Sequence, residues 1–243
     1  SSDYQDGYLF ATVPAEDADR PLEVFQAEEP VWTDLEQQYL AAQGAEKLQI
    51  RGIIQGIEAG RLNQDAPLTR AESAALIVRL LSLEPAGDPG YSDVLPDAWY
   101  YDAVSAAQAA GIAAEGEAFE PQRPVTRAEF TVMLARAMEA VGWLDIPEDA
   151  DTSALAVADA DAVPDWAVGA YLAFQEHNRS ISIVTELPTG EYLWEDAPVL
   201  ADYAQPDLAA TRGEVITMTN QALRWLPWYP TEAAIQLGFD REM

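Results

Sequence analysis

Apolar residues recur at helical spacing in three stretches, each preceded by the same polar punctuation. The first runs from Ala71 to Leu81. The second places Phe130, Val132, Met133, Leu134, Ala137 and Met138 before Gly142, and the third runs through Val215, Ile216, Met218, Leu223 and Trp225 to Pro227. Each opens on a Thr followed three positions later by Glu: Thr69-Arg70-Ala71-Glu72, Thr126-Arg127-Ala128-Glu129 and Thr211-Arg212-Gly213-Glu214. That spacing is a capping box, in which the hydroxyl accepts from the Glu N–H and the carboxylate accepts from the Thr N–H. The pattern therefore predicts three capped helices, packed together as one central bundle. The Arg at the first helical position is not explained by capping, because a cation there opposes the positive end of the helix dipole. Its recurrence in all three tetrapeptides points to a binding role.

A shorter helix precedes the second capped one. Ala103, Val104, Ala106, Ala107 and Ala110 lie on one face after Trp99, and Gly111 ends the helix as a residue able to take positive φ. In the third stretch Val163-Pro164-Asp165-Trp166 leads into a helix with Ala170, Leu172, Ala173 and Phe174 on one side. A long loop follows, and Ile181–Val184 and Tyr192–Trp194 around Leu187-Pro188-Thr189-Gly190 read as a small β-hairpin. In the first stretch Ile50, Ile53, Ile54 and Ile57 predict the short helix, closed by Gly60, with a short loop of Arg61 to Leu68 before Thr69. Residues 1–33 stand apart: Tyr8 and Phe10 alternate like a strand, and the segment is expected to be extended and to dock on the hairpin or on a neighbouring copy. The predicted organisation is an N-terminal segment 1–33, repeats at 34–85, 86–145 and 146–226, and a tail 227–243.

Charge narrows the function. The 243 residues carry 13 basic and 42 acidic side chains, a net −29, which argues against nucleic-acid binding because phosphate recognition needs a basic footprint. There is no cysteine, hence no disulfide or thiolate metal site. The sequence has no apolar run of the roughly 20 residues a membrane span requires. The chain starts at Ser1 without a charged-then-apolar leader, so the expectation is a mature secreted chain whose signal peptide has been removed. No cofactor is expected. Weak surface calcium binding at Asp149-Ala150-Asp151-Thr152-Ser153 is the one metal candidate, and it lacks the glycine and glutamate of an EF-hand. His177 is the sole histidine, without a Cys or a convergent acid and base, and an enzyme is not expected.

The second repeat runs Tyr91-Ser92-Asp93-Val94, Trp99, Gly111-Ile112, Phe119-Glu120-Pro121 and Pro124-Val125-Thr126-Arg127-Ala128-Glu129-Phe130. This order closely resembles the S-layer homology family. The third repeat is similar at Trp166 and Thr211 to Glu214, and the first at its capped helix, without the Asp-Val and Trp signature. The resemblance implies a mainly α, trefoil-like three-repeat bundle with prong helices and ligand grooves between repeats. It also implies an extracellular protein that anchors to secondary cell-wall polysaccharide or peptidoglycan. On that reading Arg70, Arg127 and Arg212, beside exposed helix N-terminal N–H groups, bind an acidic group of the polymer. Trp99 and Trp166 stack on sugars, and Asp93 and Asp159 accept from hydroxyls, with Arg127 central. The bland readings are that the Trps are core residues and that the Asps cap the prong helices. The alternative function is a subunit of a surface layer or filament, with a homo-oligomer or surface-layer partner joined through residues 1–33.

Overall fold

The computed structural model describes residues 32–34, 45, 48–49, 52–56, 60–176 and 203–225, the last five by their backbone alone. The hairpin at 181–194, the strand around Tyr8 and Phe10, His177 and the tail lie outside the described residues. Among the described residues five α-helices have defined bounds: α1 (Arg70–Leu81), α2 (Tyr101–Ala109), α3 (Arg127–Ala140), α4 (Asp165–Glu176) and α5 (Arg212–Trp225), with 3₁₀ turns at Thr152–Ala154 and Ala160–Ala162. The fold is mainly α, and among the described residues the β-structure is limited to three isolated bridges.

The three capping boxes form as the spacing predicts. Thr69 and Thr126 accept from the N–H of Glu72 and Glu129, whose carboxylates accept in return from the N–H of each Thr. Thr211 and Glu214 make the same pair of bonds. The apolar faces are buried as read: Phe130, Leu134, Ala137 and Met138 are sealed in α3, and Ile77 and Leu80 in α1. Each such large side chain contributes roughly 1.5–3 kcal/mol on burial.

The starts of α1, α3 and α5 meet in a closed ring. The Leu68 N–H donates to the Ala210 carbonyl, the Ala210 N–H to that of Val125, and the Val125 N–H to that of Leu68, each at 2.9 Å. The bridges Pro67 to Thr211, Thr69 to Pro124 and Thr126 to Ala209 flank it. Beyond the ring, α1 packs on α3 but also on the short helix α2, and α3 packs on α4. The long helices α1 and α3 thus pack against the prong of the following segment as well as against each other.

The first segment departs from its reading. Helical residues occur at Ala45, Leu48 and Gln49, and the helix is closed by Gly52, not Gly60. Gly52 has φ +68° and donates to the Gln49 carbonyl, while the Ile53 N–H donates to Leu48. Gly111 and Ile112 make the same bonds to Gln108 and Ala107. Ile53 and Ile54 therefore follow the helix as its apolar anchor. Gly52 lies 17 residues before Thr69 and Gly111 15 before Thr126, so the first loop is the longer of the two.

Gly169 on α4 is a site of close approach. A Cβ there would stand 2.8 Å from the Pro147 carbonyl oxygen and 3.0 Å from the Ile146 side chain. Gly169→Ala is expected to lower stability by about 1–3 kcal/mol, despite Ala's better helix propensity, as read by chemical denaturation.

Candidate functional site

The candidate aspartates and arginines lie where a loop of one segment meets the capped helix of another. Each loop is held by an Asp carboxylate that accepts two successive backbone N–H groups. Asp93 takes those of Phe119 (2.8 Å) and Glu120 (2.7 Å), and Asp159 those of Ala204 (2.6 Å) and Gln205 (2.7 Å). Asp34 takes those of Leu62 (2.9 Å) and Asn63 (2.7 Å). The second residue of each pair has positive φ: +57° at Glu120, +45° at Gln205 and +56° at Asn63. A non-glycine residue is strained there, and the carboxylate clamp holds it in place.

These clamps correct two readings. Asp93 and Asp159 do not cap the prong helices: the N-cap position of α2 is Tyr100, and Asp159, at the N-cap position of the 3₁₀ turn, makes no side-chain cap bond. The first segment does carry the aspartate signature, at Trp32-Thr33-Asp34. Thr33 bonds the Gly60 carbonyl through both its N–H (2.7 Å) and its hydroxyl (3.0 Å), as Ser92 bonds that of Glu117. The sequence signal was the aromatic–hydroxyl–Asp order shared with Tyr91-Ser92-Asp93.

The starts of α1, α3 and α5 offer no free donors in their first turns. Arg70 and Ala71 donate their N–H groups to Arg123 and Pro121, Arg127 and Ala128 to Leu208 and Pro206, and Arg212 and Gly213 to Ala66 and Gln64. With the capping-box bonds these occupy the first-turn N–H groups, so the expected anion site of exposed helix N–H groups is not present.

The arginines reach across the junctions instead. Arg70 donates from Nε to the Phe119 carbonyl (2.7 Å) and from Nη1 to Glu129 (2.9 Å), with its guanidinium 4.8 Å from the Phe119 ring centroid. Arg123 joins the same Glu129 and also Glu120, closing a four-membered ionic network. Burial works to raise the Glu129 pKa, but these cations and the Thr126 N–H bring it below its ordinary value. Arg212 donates to the Leu62 carbonyl (2.9 Å), the Gln55 carbonyl (2.9 Å) and Glu72 (3.1 Å). Arg127 differs. It is 3% exposed, it donates from Nη1 to the Gln205 side chain, and its buried Nε has no partner. Burial pushes its pKa down, opposed by the charges of Glu214, Tyr171 and Asp159.

Trp99 and Trp166 are not core residues: they are 62% and 58% exposed. Trp99 packs edge-on against Tyr100, at the start of α2, and Trp166 sits at the start of α4. Asp151, in the calcium candidate, accepts from the Ser153 N–H as a cap for a 3₁₀ turn. No group of three metal-ligating side chains occurs among the described residues, and no helix among them is long and apolar enough to cross a membrane.

Comparison with known proteins agrees with this architecture. Residues 90–131 match the S-layer homology domain. The chain is 37% identical over 115 residues to the surface-layer 125 kDa protein of Lysinibacillus sphaericus, covering 46% of this chain and 10% of the relative. It is 33% identical over 124 residues to the amylopullulanase of Thermoanaerobacterium thermosulfurigenes (50% and 6%). It is also 33% identical over 124 residues to exoglucanase XynX of Acetivibrio thermocellus (50% and 11%). The chain thus spans 11% or less of the length of these three relatives, and the stretch at residues 90–131 is an S-layer homology domain.

Two outcomes follow from the cross-junction bonds. Arg70→Lys keeps the charge but loses the Nε bond to Phe119 and the planar stack, and is expected to cost about 1–3 kcal/mol in denaturant unfolding. Asp34 is held below its ordinary pKa of 3.8: burial acts to raise it, but the Leu62 and Asn63 N–H groups outweigh that. With the folded value depressed, the clamp's contribution is present above pH 3.8 and is lost as pH falls through the folded value. Amide exchange at Leu62 and Asn63 should therefore accelerate in that acid range, beyond the intrinsic pH dependence, and should be insensitive to the clamp in Asp34→Ala.

Proposed function

We propose that this chain is a non-catalytic module of the cell surface that anchors to the wall by binding polysaccharide between its segments. The support begins with the relatives. A surface-layer protein, an amylopullulanase and an exoglucanase share this stretch while differing in what their names say they do, and the stretch is a small fraction of each. A role common to all three fits attachment better than catalysis.

The observation that carries the reading is the matched exposure of Trp99 and Trp166 at the starts of α2 and α4. The fold gains little from leaving two indoles in water, whereas a flat apolar face with an N–H at its edge suits a sugar ring. The clamped loops and cross-junction arginines give the surface between segments a fixed shape, so binding needs little ordering of the protein. Asp93 and Asp159 are spent on backbone N–H groups, and on this reading they shape the loops instead of touching sugar.

The test is co-sedimentation with purified cell-wall sacculi. The double variant Trp99→Ala/Trp166→Ala should lose at least about tenfold in affinity while its melting temperature stays within the small range of surface substitutions. Undiminished sedimentation of a folded double variant would refute the assignment.

A further inference from the structure

The two prong segments carry no cationic side chain of the Lys or Arg kind. Between Arg79 and Arg123, and again between Arg136 and Arg179, the sequence has neither residue, while acidic residues recur through both stretches. Arg70, Arg123, Arg127 and Arg212 are bonded within the junctions instead. With a net charge of −29, the field around the chain repels an anionic ligand and draws in a cationic one.

Each prong start places an exposed indole among exposed carboxylates. Asp97 precedes Trp99 by two residues, Asp102 follows it by three in the first turn of α2, and all three are exposed. Trp166 adjoins Asp165 in the first turn of α4, five residues after Asp161, and these three are exposed as well. Around Trp99 the chain is tightly turned: the Ala98 N–H donates to the Leu95 carbonyl and the Tyr101 N–H to that of Ala98, each at 3.0 Å. The Trp99 and Tyr100 rings, with centroids 5.3 Å apart and planes at 83°, form two walls of an aromatic corner. Aromatic faces attract a cation, and nearby carboxylates add to that attraction. A neutral sugar would use the indole alone, and an anionic one would be repelled by its surroundings.

Resting on the wall-binding reading above, we propose that the starts of α2 and α4 are a docking surface for a polysaccharide that bears protonated amines, that is, amino sugars whose nitrogen is not acetylated. The C–H face of the sugar lies on the indole, and its ammonium donates to Asp97 and Asp102 at one prong and to Asp161 and Asp165 at the other. A basic peptide would match the charge but offers no rigid ring face to the indole, so the polysaccharide is the favoured occupant. The same combination at two prongs suits a polymer of repeating units, because its second contact forms at high effective concentration.

Calorimetric titration with a β-1,4-linked glucosamine tetramer tests this, with the fully N-acetylated tetramer as the neutral control and pentalysine as the peptide control. The glucosamine tetramer should bind roughly tenfold or more tightly than either control, and its advantage should shrink as salt is added. The variant Asp97→Asn/Asp102→Asn/Asp161→Asn/Asp165→Asn should remain folded by circular dichroism and bind the two tetramers alike. Trp99→Ala/Trp166→Ala should weaken both tetramers. The proposal is overturned if the N-acetylated tetramer binds the parent as tightly as the glucosamine tetramer, if the asparagine variant keeps the preference, or if pentalysine binds as well as the sugar, which would mark a basic peptide as the partner. Sacculi before and after acetylation of their free amines separate the two readings: binding unchanged by acetylation removes this inference alone, and no binding to untreated sacculi removes both.

Discussion

Three backbone hydrogen bonds, passing from Leu68 to Ala210 to Val125 and back to Leu68, are the constraint on which the structure depends. Each links residues far apart in sequence, and the three acceptors and donors are buried. A ring of this kind fixes the positions of all three helix starts at once. Every cross-junction contact then follows from it: the loop before one capped helix lies against the start of another, so its carbonyls fall within reach of the first two helical N–H groups. The cost of fixing long-range contacts is high, and the ring is repaid by the apolar cluster that the helices bury beneath it.

The same arrangement resolves why a cation sits where a helix dipole disfavours it. Arg70 and Arg212 do not serve their own helices. Each extends to the capping-box glutamate of another helix start, so Glu129 and Glu72 act twice, once on their own Thr and once on an arriving Arg. The ion pairs are partly buried and hydrogen-bonded to carbonyls as well, a setting in which removal of one partner strands the other. Conservation of geometry with variation in charge then distinguishes the junctions. Arg127 occupies the same backbone position, but among the described residues no hydrogen bond joins it to the equivalent glutamate, Glu214, and that difference sets its junction apart.

Local signals in the sequence were sufficient for the three capped helices and for α2. Capping boxes, the buried face of α3 and the Gly111 terminus depend on residues within a turn or two of one another. The roles of the arginines were not legible, because their partners lie 59 and 140 residues away. Asp34 was missed for a related reason: its clamp closes on Leu62 and Asn63, 28 and 29 residues downstream. Ile53 and Ile54 read as helix because apolar spacing alone cannot tell a helix face from the hydrophobic anchor just past its end. Trp99 and Trp166 posed the opposite problem, since an aromatic at the start of an amphipathic helix fits core and surface equally well until burial is known.

The central claim is that the ring closes the three segments into one cooperative body, and amide hydrogen exchange of Leu68, Val125 and Ala210 tests it most directly. The account predicts that all three exchange only through global unfolding, with one common free energy that falls together as denaturant is added. Exchange of one of them by local opening, at a rate insensitive to denaturant while the other two stay protected, would contradict it.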